Sequence, residues 1–355
     1  MAGSIPLKVE TLPLLDRRRR VLSDLRISVI DRCNFRCPYC MPEGNYPLDH
    51  AFLEKAERMR FEEIERLARI FVGLGVRKIR LTGGEPLLRR ELSKLVAGLA
   101  GIESLEDLAL TSNGSLLPRM AADLHTAGLK RITLSMDSLD PQTYREMSGG
   151  RGDVADLHAA IAAAVDAGFA TLKLNVVVMR GINDHQVADM VAHFRGSGHV
   201  LRFIEYMDVG TCNGWKPELV VPSAELRERI GQRWPLRALP ATHAGEVAER
   251  WQLVDGSAEI GFISSVSEPF CGDCTRARLS ADGRLYTCLF ASSGHDLLGP
   301  MRAGATDAEL TNLIAAVWSS RDDRYSEIRN AASSLSRCSA IGSRAFQRAN
   351  SSLST

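Results

Sequence analysis

The chain has almost no net charge, no apolar run long enough to cross a bilayer, and too few cysteines for a disulfide framework. Each shortage excludes something. A formal charge of +1 over 355 residues leaves no broad electrostatic footprint for nucleic acid or for a membrane surface. An anionic ligand must therefore be met by a local group of basic side chains. The N-terminal segment has no long apolar stretch, which predicts neither a secretory leader nor a membrane anchor. Eight cysteines are sparse at this length, and six of them fall in two clusters, which predicts a metal protein kept in the cytoplasm or another reducing compartment. No internal repeat stands out beyond strand–helix units. What remains is an ordinary globular composition, 45% hydrophobic and 25% charged, enough for one large core or two modest ones.

Residues 1–20 read as an N-terminal arm, with Arg17–Arg20 as a solvated basic flank. A rhythm then begins. Leu25-Arg26-Ile27-Ser28-Val29-Ile30 alternates and is β-branched, so it predicts a strand. Phe61, Ile64, Leu67, Ala68, Phe71 and Leu74 recur at helical spacing, and Gly75 closes that helix. Further strands are expected at 78–82 and near 107–112, 130–136, 172–179 and 200–207, with helices near 118–127, 154–167 and 186–195. Six such units predict an α/β fold, an incomplete (β/α)6-type barrel with a lateral opening. An open doubly wound sheet is the competing architecture. From about residue 212 the rhythm fails. The expected units are the arm at 1–20, the partial barrel at 21–214, a smaller C-terminal region at 215–330, and a mobile tail at 331–355.

Cys33, Cys37 and Cys40 follow the first strand, separated by three residues and then by two. Three thiolates this close can hold one face of an iron–sulfur cluster. With four irons and three ligands, one iron stays open to a small molecule. Structural zinc prefers four ligands, and no fourth Cys or His is near. Gly83-Gly84-Glu85-Pro86 follows the second strand, and paired glycines let a backbone approach a ligand closely. Cys271, Cys274 and Cys288 form a second set. Here zinc is a stronger rival, with His295 or Cys212 as fourth ligand, but a second cluster is the preferred reading. Arg276 and Arg278 lie two residues apart, so on an extended segment they point the same way and can grip one anionic ligand.

The first spacing, with an aromatic residue before the last cysteine, resembles the signature of the radical S-adenosylmethionine (radical SAM) superfamily. The longer pattern resembles the GTP 3′,8-cyclase family, which opens molybdenum cofactor (molybdopterin) synthesis. It includes Asp31-Arg32-Cys33-Asn34-Phe35-Arg36-Cys37, Arg80-Leu81-Thr82-Gly83-Gly84-Glu85-Pro86, Arg202-Phe203-Ile204-Glu205-Tyr206-Met207, Cys274-Thr275-Arg276-Ala277-Arg278-Leu279 and Asp322-Asp323-Arg324-Tyr325-Ser326. The resemblance implies a lyase with two 4Fe–4S clusters, held by Cys33, Cys37 and Cys40 and by Cys271, Cys274 and Cys288. It implies SAM contacts from Tyr39, Gly84, Ser135 and Met207. It implies GTP contacts from Arg26, Arg80, Thr111, Lys173, Arg276, Ala277 and Arg278. Strand alternation adds that Lys173 and Asn175 share one face. GTP is the implied substrate and an external electron donor the implied partner. Neither nucleic acid nor membrane is expected, and a homodimer is left open.

One departure stands against the pattern. The family ends in a short tail finishing with two glycines that enters the active site. The nearest counterpart here is Ala340-Ile341-Gly342-Ser343, followed by twelve further residues. The resemblance therefore carries SAM cleavage further than it carries cyclisation. The rival readings are a radical SAM enzyme with an auxiliary cluster and another substrate, or a non-catalytic iron–sulfur or zinc protein.

Overall fold

The computed structural model describes residues 13–209 and 213–329. The expected tail at 331–355, with Ala340-Ile341-Gly342-Ser343, lies outside the described residues, as does Cys212. The six expected strands are β1 (Asp24–Ser28), β2 (Lys78–Thr82), β3 (Asp107–Ser112), β4 (Arg131–Ser135), β5 (Lys173–Val178) and β6 (Val200–Glu205). They pair in chain order, each parallel to the next.

Alternation along these strands decides between barrel and doubly wound sheet. Leu25, Ile27, Ile79, Leu81, Leu108, Leu110, Ile132, Leu134, Leu174, Val176 and Phe203 join one hydrophobic cluster. Helices cover that face. Ile64, Leu67 and Phe71 of the helix Phe61–Gly73 belong to the same cluster, and Gly75, at φ +112°, takes the left-handed turn that ends it. The residues between, such as Arg26, Arg80, Thr133, Lys173 and Asn175, are polar. A doubly wound sheet, covered on both faces, needs near-continuous apolar strands. Only one face is apolar here. The other curls around a cavity lined from every strand, by Arg26, Arg80, Asp107, Arg131, Lys173 and Arg202, which a flat sheet does not permit.

The rest of the sheet comes from the C-terminal region. It adds β7 (Leu236–Leu239), β8 (Glu249–Leu253), β9 (Glu259–Ile263), β10 (Arg276–Leu279), β11 (Arg284–Tyr286) and β12 (His295–Asp296). The order across the sheet is β12-β11-β10-β1-β2-β3-β4-β5-β6-β9-β8-β7. Strand β10 lies parallel to β1, and β9 lies parallel to β6. The C-terminal region therefore widens both edges of the barrel, and β7 and β12 stay unpaired to each other, so the barrel is open.

Two expectations shift. The helix expected near 118–127 is broken by Pro118 into a short 3-10 turn, Leu117–Arg119, and a helix, Ala121–Thr126. Arg17, Arg18 and Arg19 are exposed as a solvated flank should be, but Arg20 is buried. Its guanidinium pairs with the buried Asp16 carboxylate at 2.6 Å.

Candidate active site

The first cysteine loop leaves the C-terminal end of β1 and is stitched to the turn after β2. Gly84 N donates to Ile30 O at 2.8 Å, and Glu85 N donates to Arg32 O at 2.8 Å. A Cβ on Gly84 would lie 2.2 Å from Arg32 O, so only glycine allows this approach. Inside the loop, the Arg36 guanidinium donates to the carbonyls of Tyr46, Cys33 and Phe35 at 2.8–2.9 Å. The Glu85 carboxylate accepts from Ser112 Oγ and Asn113 N, each at 2.8 Å, and ties β3 to the same turn.

Cys33, Cys37 and Cys40 are free thiols. They line one cavity with Tyr39, Gly84, Ser135 and Met207, the four residues expected to meet SAM. Tyr39 Oη donates to Asp137 Oδ2 at 2.5 Å, and Asp137 Oδ1 accepts from Val177 N at 2.9 Å. Glu85, Asp137 and Glu205 also line this cavity, and among the described residues no lysine or arginine does. Burial raises Glu85 to about 7 and Asp137 to about 6. Burial, and then the Glu85 charge, pushes the Cys33 thiol up to about 12, while burial and Asp137 do the same to Cys40. These thiols keep their protons until a metal displaces them.

Zinc draws its ligands to one ion, with thiolates at ~2.3 Å, whereas a four-iron cluster distributes its thiolates over separate irons. Three free thiols lining one cavity suit a cluster that leaves one iron open.

The adjoining cavity is larger, about 550 Å3, within the usual range for small-molecule sites. Cys271, Cys274 and Cys288 line it, together with Arg26, Arg80, Lys173, Arg276 and Arg278. Register explains the arrangement. Arg278, Arg26 and Arg80 are paired partners across β10, β1 and β2 and form one level. Arg276, Asp24 and Lys78 form the level beside it. In all, eleven basic side chains line this cavity against five acidic ones, so it is electropositive in a nearly neutral chain. Arg26, Arg80, Arg202, Arg276, Arg278 and Arg321 each have a buried Nε with no hydrogen-bond partner among the described residues. An unpaired buried donor is costly, and six in one cavity suit an anion with many acceptor oxygens.

Crowding is visible in the protonation behaviour. Burial, then Arg276, lowers Arg26 to about 9, and burial, then Arg26, lowers Arg278 to about 9. Both stay charged at neutral pH. Lys173 is only partly charged there: burial, then Arg202, Arg131 and Arg80, brings its ammonium down to about 7. Cys274 moves the other way. Burial opposes ionisation, but Arg276 and then Arg321 outweigh it and hold the thiol at about 6.

Two candidates sit apart from the group. Thr111 lines the first cavity, where its Oγ1 accepts from Arg80 Nη1 at 2.8 Å, so it orients an arginine of the second cavity. Ala277 packs its side chain into the hydrophobic core on the far face of β10, leaving only its backbone for a ligand. His295, weighed as a zinc ligand, is exposed on β12 and lines neither cavity. Lys78, Arg131 and Arg202 join the basic wall without having been singled out in the sequence. Their signal is alternation with apolar neighbours on the same strands. Met207 lines both cavities, and its position follows from Glu205. That buried carboxylate accepts from Ser223 N, Val266 N and Ser267 N, each at 2.8 Å, and locks the end of β6.

The Radical SAM superfamily model matches residues 27–194, and the Molybdenum Cofactor Synthesis C model matches residues 199–327. A protein of Xanthomonas axonopodis pv. citri named GTP 3′,8-cyclase is 59% identical over 319 residues, covering 90% of this chain and 95% of the relative. A relative of the same name from Acidothermus cellulolyticus is 51% identical over 323 residues, covering 90% of this chain and 89% of its own. The solved structure of Streptococcus suis SuiB bound to S-adenosylmethionine aligns with a TM-score of 0.58 at 15% identity, covering 93% of this chain and 73% of that one. That last likeness is one of fold.

Proposed function

This chain belongs to the GTP 3′,8-cyclase family of radical SAM enzymes, and we propose that its two adjoining cavities divide the reaction between them, SAM in the first and GTP in the second. The enzyme cyclises GTP to (8S)-3′,8-cyclo-7,8-dihydroguanosine 5′-triphosphate, the first step of molybdenum cofactor biosynthesis. The observation that carries the division of labour is charge. The first cavity holds three carboxylates and, among the described residues, no lysine or arginine, which suits a sulfonium cation. The second holds eleven basic side chains, which suits a triphosphate.

Cys33, Cys37 and Cys40 hold the 4Fe–4S cluster in this reading, with Tyr39, Gly84, Ser135 and Met207 around SAM. When bound, the cluster and SAM would supply a 5′-deoxyadenosyl radical that takes hydrogen from C3′ of GTP so that C3′ can bond to C8 of the guanine, with one further electron from an external donor and a proton completing the dihydroguanosine ring. Cys271, Cys274 and Cys288 would hold a second cluster whose open iron binds the guanine. The protein's own part is positioning and exclusion. Arg26, Arg80, Lys173, Arg276 and Arg278 bind the nucleotide from separate strands, Thr111 orients Arg80, and the backbone of Ala277 lies between two of the arginines. Met207 stands where the cavities meet, so the reacting groups need not pass through solvent. A peptide substrate, the rival for an enzyme of this fold, would leave the basic wall without a counterpart.

The test is anaerobic. The protein is reconstituted with iron and sulfide, reduced, and given SAM and GTP, and 5′-deoxyadenosine is followed together with the cyclised nucleotide. Both products are expected. Deoxyadenosine without cyclised nucleotide would overturn the GTP assignment for this chain while leaving SAM cleavage. Neither product from cluster-loaded protein would overturn both.

A further inference from the structure

Three segments distant in sequence meet behind the second cysteine set. They are the end of the N-terminal arm, the loop before β10, and the residues after the helix Asp307–Ser319. Asp16 is at their centre, with its side chain wholly buried. Its Oδ1 accepts from the backbone N of Arg18 and Arg20, each at 2.9 Å. Its Oδ2 accepts from Arg20 Nε at 2.6 Å and from Arg321 Nη1 at 3.3 Å. Arg20 Nη1 donates onward to the carbonyls of Cys271 at 2.7 Å and Asp323 at 2.8 Å. Arg321 Nη1 donates to Cys274 O at 2.7 Å, and its Nη2 donates to Cys274 Sγ at 3.1 Å. Asp323 Oδ2 accepts from the hydroxyl of Thr287, the residue before Cys288, at 2.6 Å. Cys271 and Cys274 are thus reached directly from one knot of buried charge, and Cys288 only through its neighbour Thr287 and the half-buried Asp323.

We propose that Arg321, clamped by Asp16, is a positioning residue for the second cluster: it fixes the Cys274 sulfur and polarises it with a charge that does not move when substrate binds. The proposal rests on the reading of Cys271, Cys274 and Cys288 as cluster ligands. Two observations separate this role from simple support. A buried ion-pair knot is no better than apolar packing at holding segments together, whereas only a donor can bond the sulfur. Arg276 also donates to Cys274 Sγ, at 3.3 Å, and both arginines line the second cavity, but Arg276 stands on β10 in the level of Asp24 and Lys78 and belongs to the substrate wall. Arg321 is tied to Asp16 and stacked over the Trp318 ring at 4.5 Å, so it cannot follow the substrate. Hydrogen bonds to the sulfurs and nearby charge set a cluster's reduction potential. A fixed guanidinium favours the reduced, more negative state.

The test uses the full chain with Cys33→Ser, Cys37→Ser and Cys40→Ser, so that only the second site can load. Iron per chain, the midpoint potential followed by electron paramagnetic resonance, and the melting temperature of the iron-free protein are measured. The parent is expected to load iron. Arg321→Met is expected to shift the midpoint to more negative potential and to speed iron loss to a chelator several-fold. Arg321→Lys, which keeps the charge without the planar fork, should recover part of the potential. An unchanged potential and unchanged iron retention in Arg321→Met would overturn the proposal. So would equal iron loss in both variants with the same fall in iron-free melting temperature, since that is structural support alone. A parent that loads no iron would overturn the second-cluster reading itself, and this proposal with it.

Discussion

An ammonium group that titrates near neutrality makes Lys173 the most pH-sensitive member of the basic wall. Its pKa is held at about 7 in the empty cavity, against an ordinary 10.5. A bound triphosphate favours the charged form, so binding above pH 7 takes up a proton. GTP affinity should therefore fall as pH rises through and beyond 7, by up to about tenfold per pH unit. Equilibrium binding to the unreduced protein between pH 7 and 9 measures it. Lys173→Arg, which stays charged, should flatten the profile, and a profile equally steep in that variant would remove Lys173 from the nucleotide site. The same shift has an opposite face in the stability of the empty protein. The unfolded chain keeps this proton up to 10.5 while the folded chain releases it near 7. The unfolded state binds more protons between these values, so this group's contribution to stability rises with pH there. Arg278 is simpler. Arg278→Ala removes a charge-assisted partner worth about 1.5–3 kcal/mol, so GTP should bind roughly 10- to 150-fold more weakly while SAM binding is nearly unchanged. An equal loss of both would take Arg278 out of its assigned role.

Elements rather than single side chains decide whether the first cluster can form. The cysteine loop after β1 has little regular structure, and the turn after β2 holds it through two backbone bonds at the point where Gly84 touches Arg32. Gly84→Ala forces a carbon into the Arg32 carbonyl. Overpacking of this kind costs about 1–3 kcal/mol, and here relief comes by moving the loop. The variant should lose iron from the first site and bind SAM at least several-fold more weakly, with GTP affinity preserved. Iron analysis with paired binding isotherms checks this, and unimpaired iron loading would show that the loop tolerates the shift. At this scale much was legible in the sequence. The six barrel strands alternate, so their chemistry and facing could be read from period alone, as Lys173 with Asn175 illustrates. Strands β7 to β12 could not. They are two to five residues long, and their place depends on pairing with β1 and β6, which are far away in sequence. Lys78, Arg131 and Arg202 were hidden for a related reason. A basic residue on a short strand resembles surface until register places it over a cavity. Asp16, Arg20 and Arg321 were hidden more deeply, since nothing local marks a basic flank as buried.

Across the whole molecule the distribution of charge says more than its total. A sum of +1 conceals one cavity rich in guanidinium groups beside another whose charged lining, among the described residues, is of carboxylates, with Met207 lining both. Such an arrangement sorts two small molecules of opposite charge without a gate. Each is attracted to its own side and repelled from the other, and their reacting ends meet at the shared wall. Salt should therefore affect the two ligands unequally. Raising salt from about 0.1 M to about 1 M shortens the Debye length from about 10 Å to about 3 Å. The triphosphate, drawn by many charges, should lose affinity by roughly tenfold over this range. SAM carries a single sulfonium charge into a cavity whose carboxylates are partly protonated by burial, as the raised Glu85 and Asp137 show, and should lose much less. Parallel titrations of both ligands across the salt series decide the matter. A steep loss for GTP with a shallow one for SAM is the signature of charge sorting. Equal slopes would mean that shape and the clusters, rather than the basic wall, determine which cavity each ligand enters.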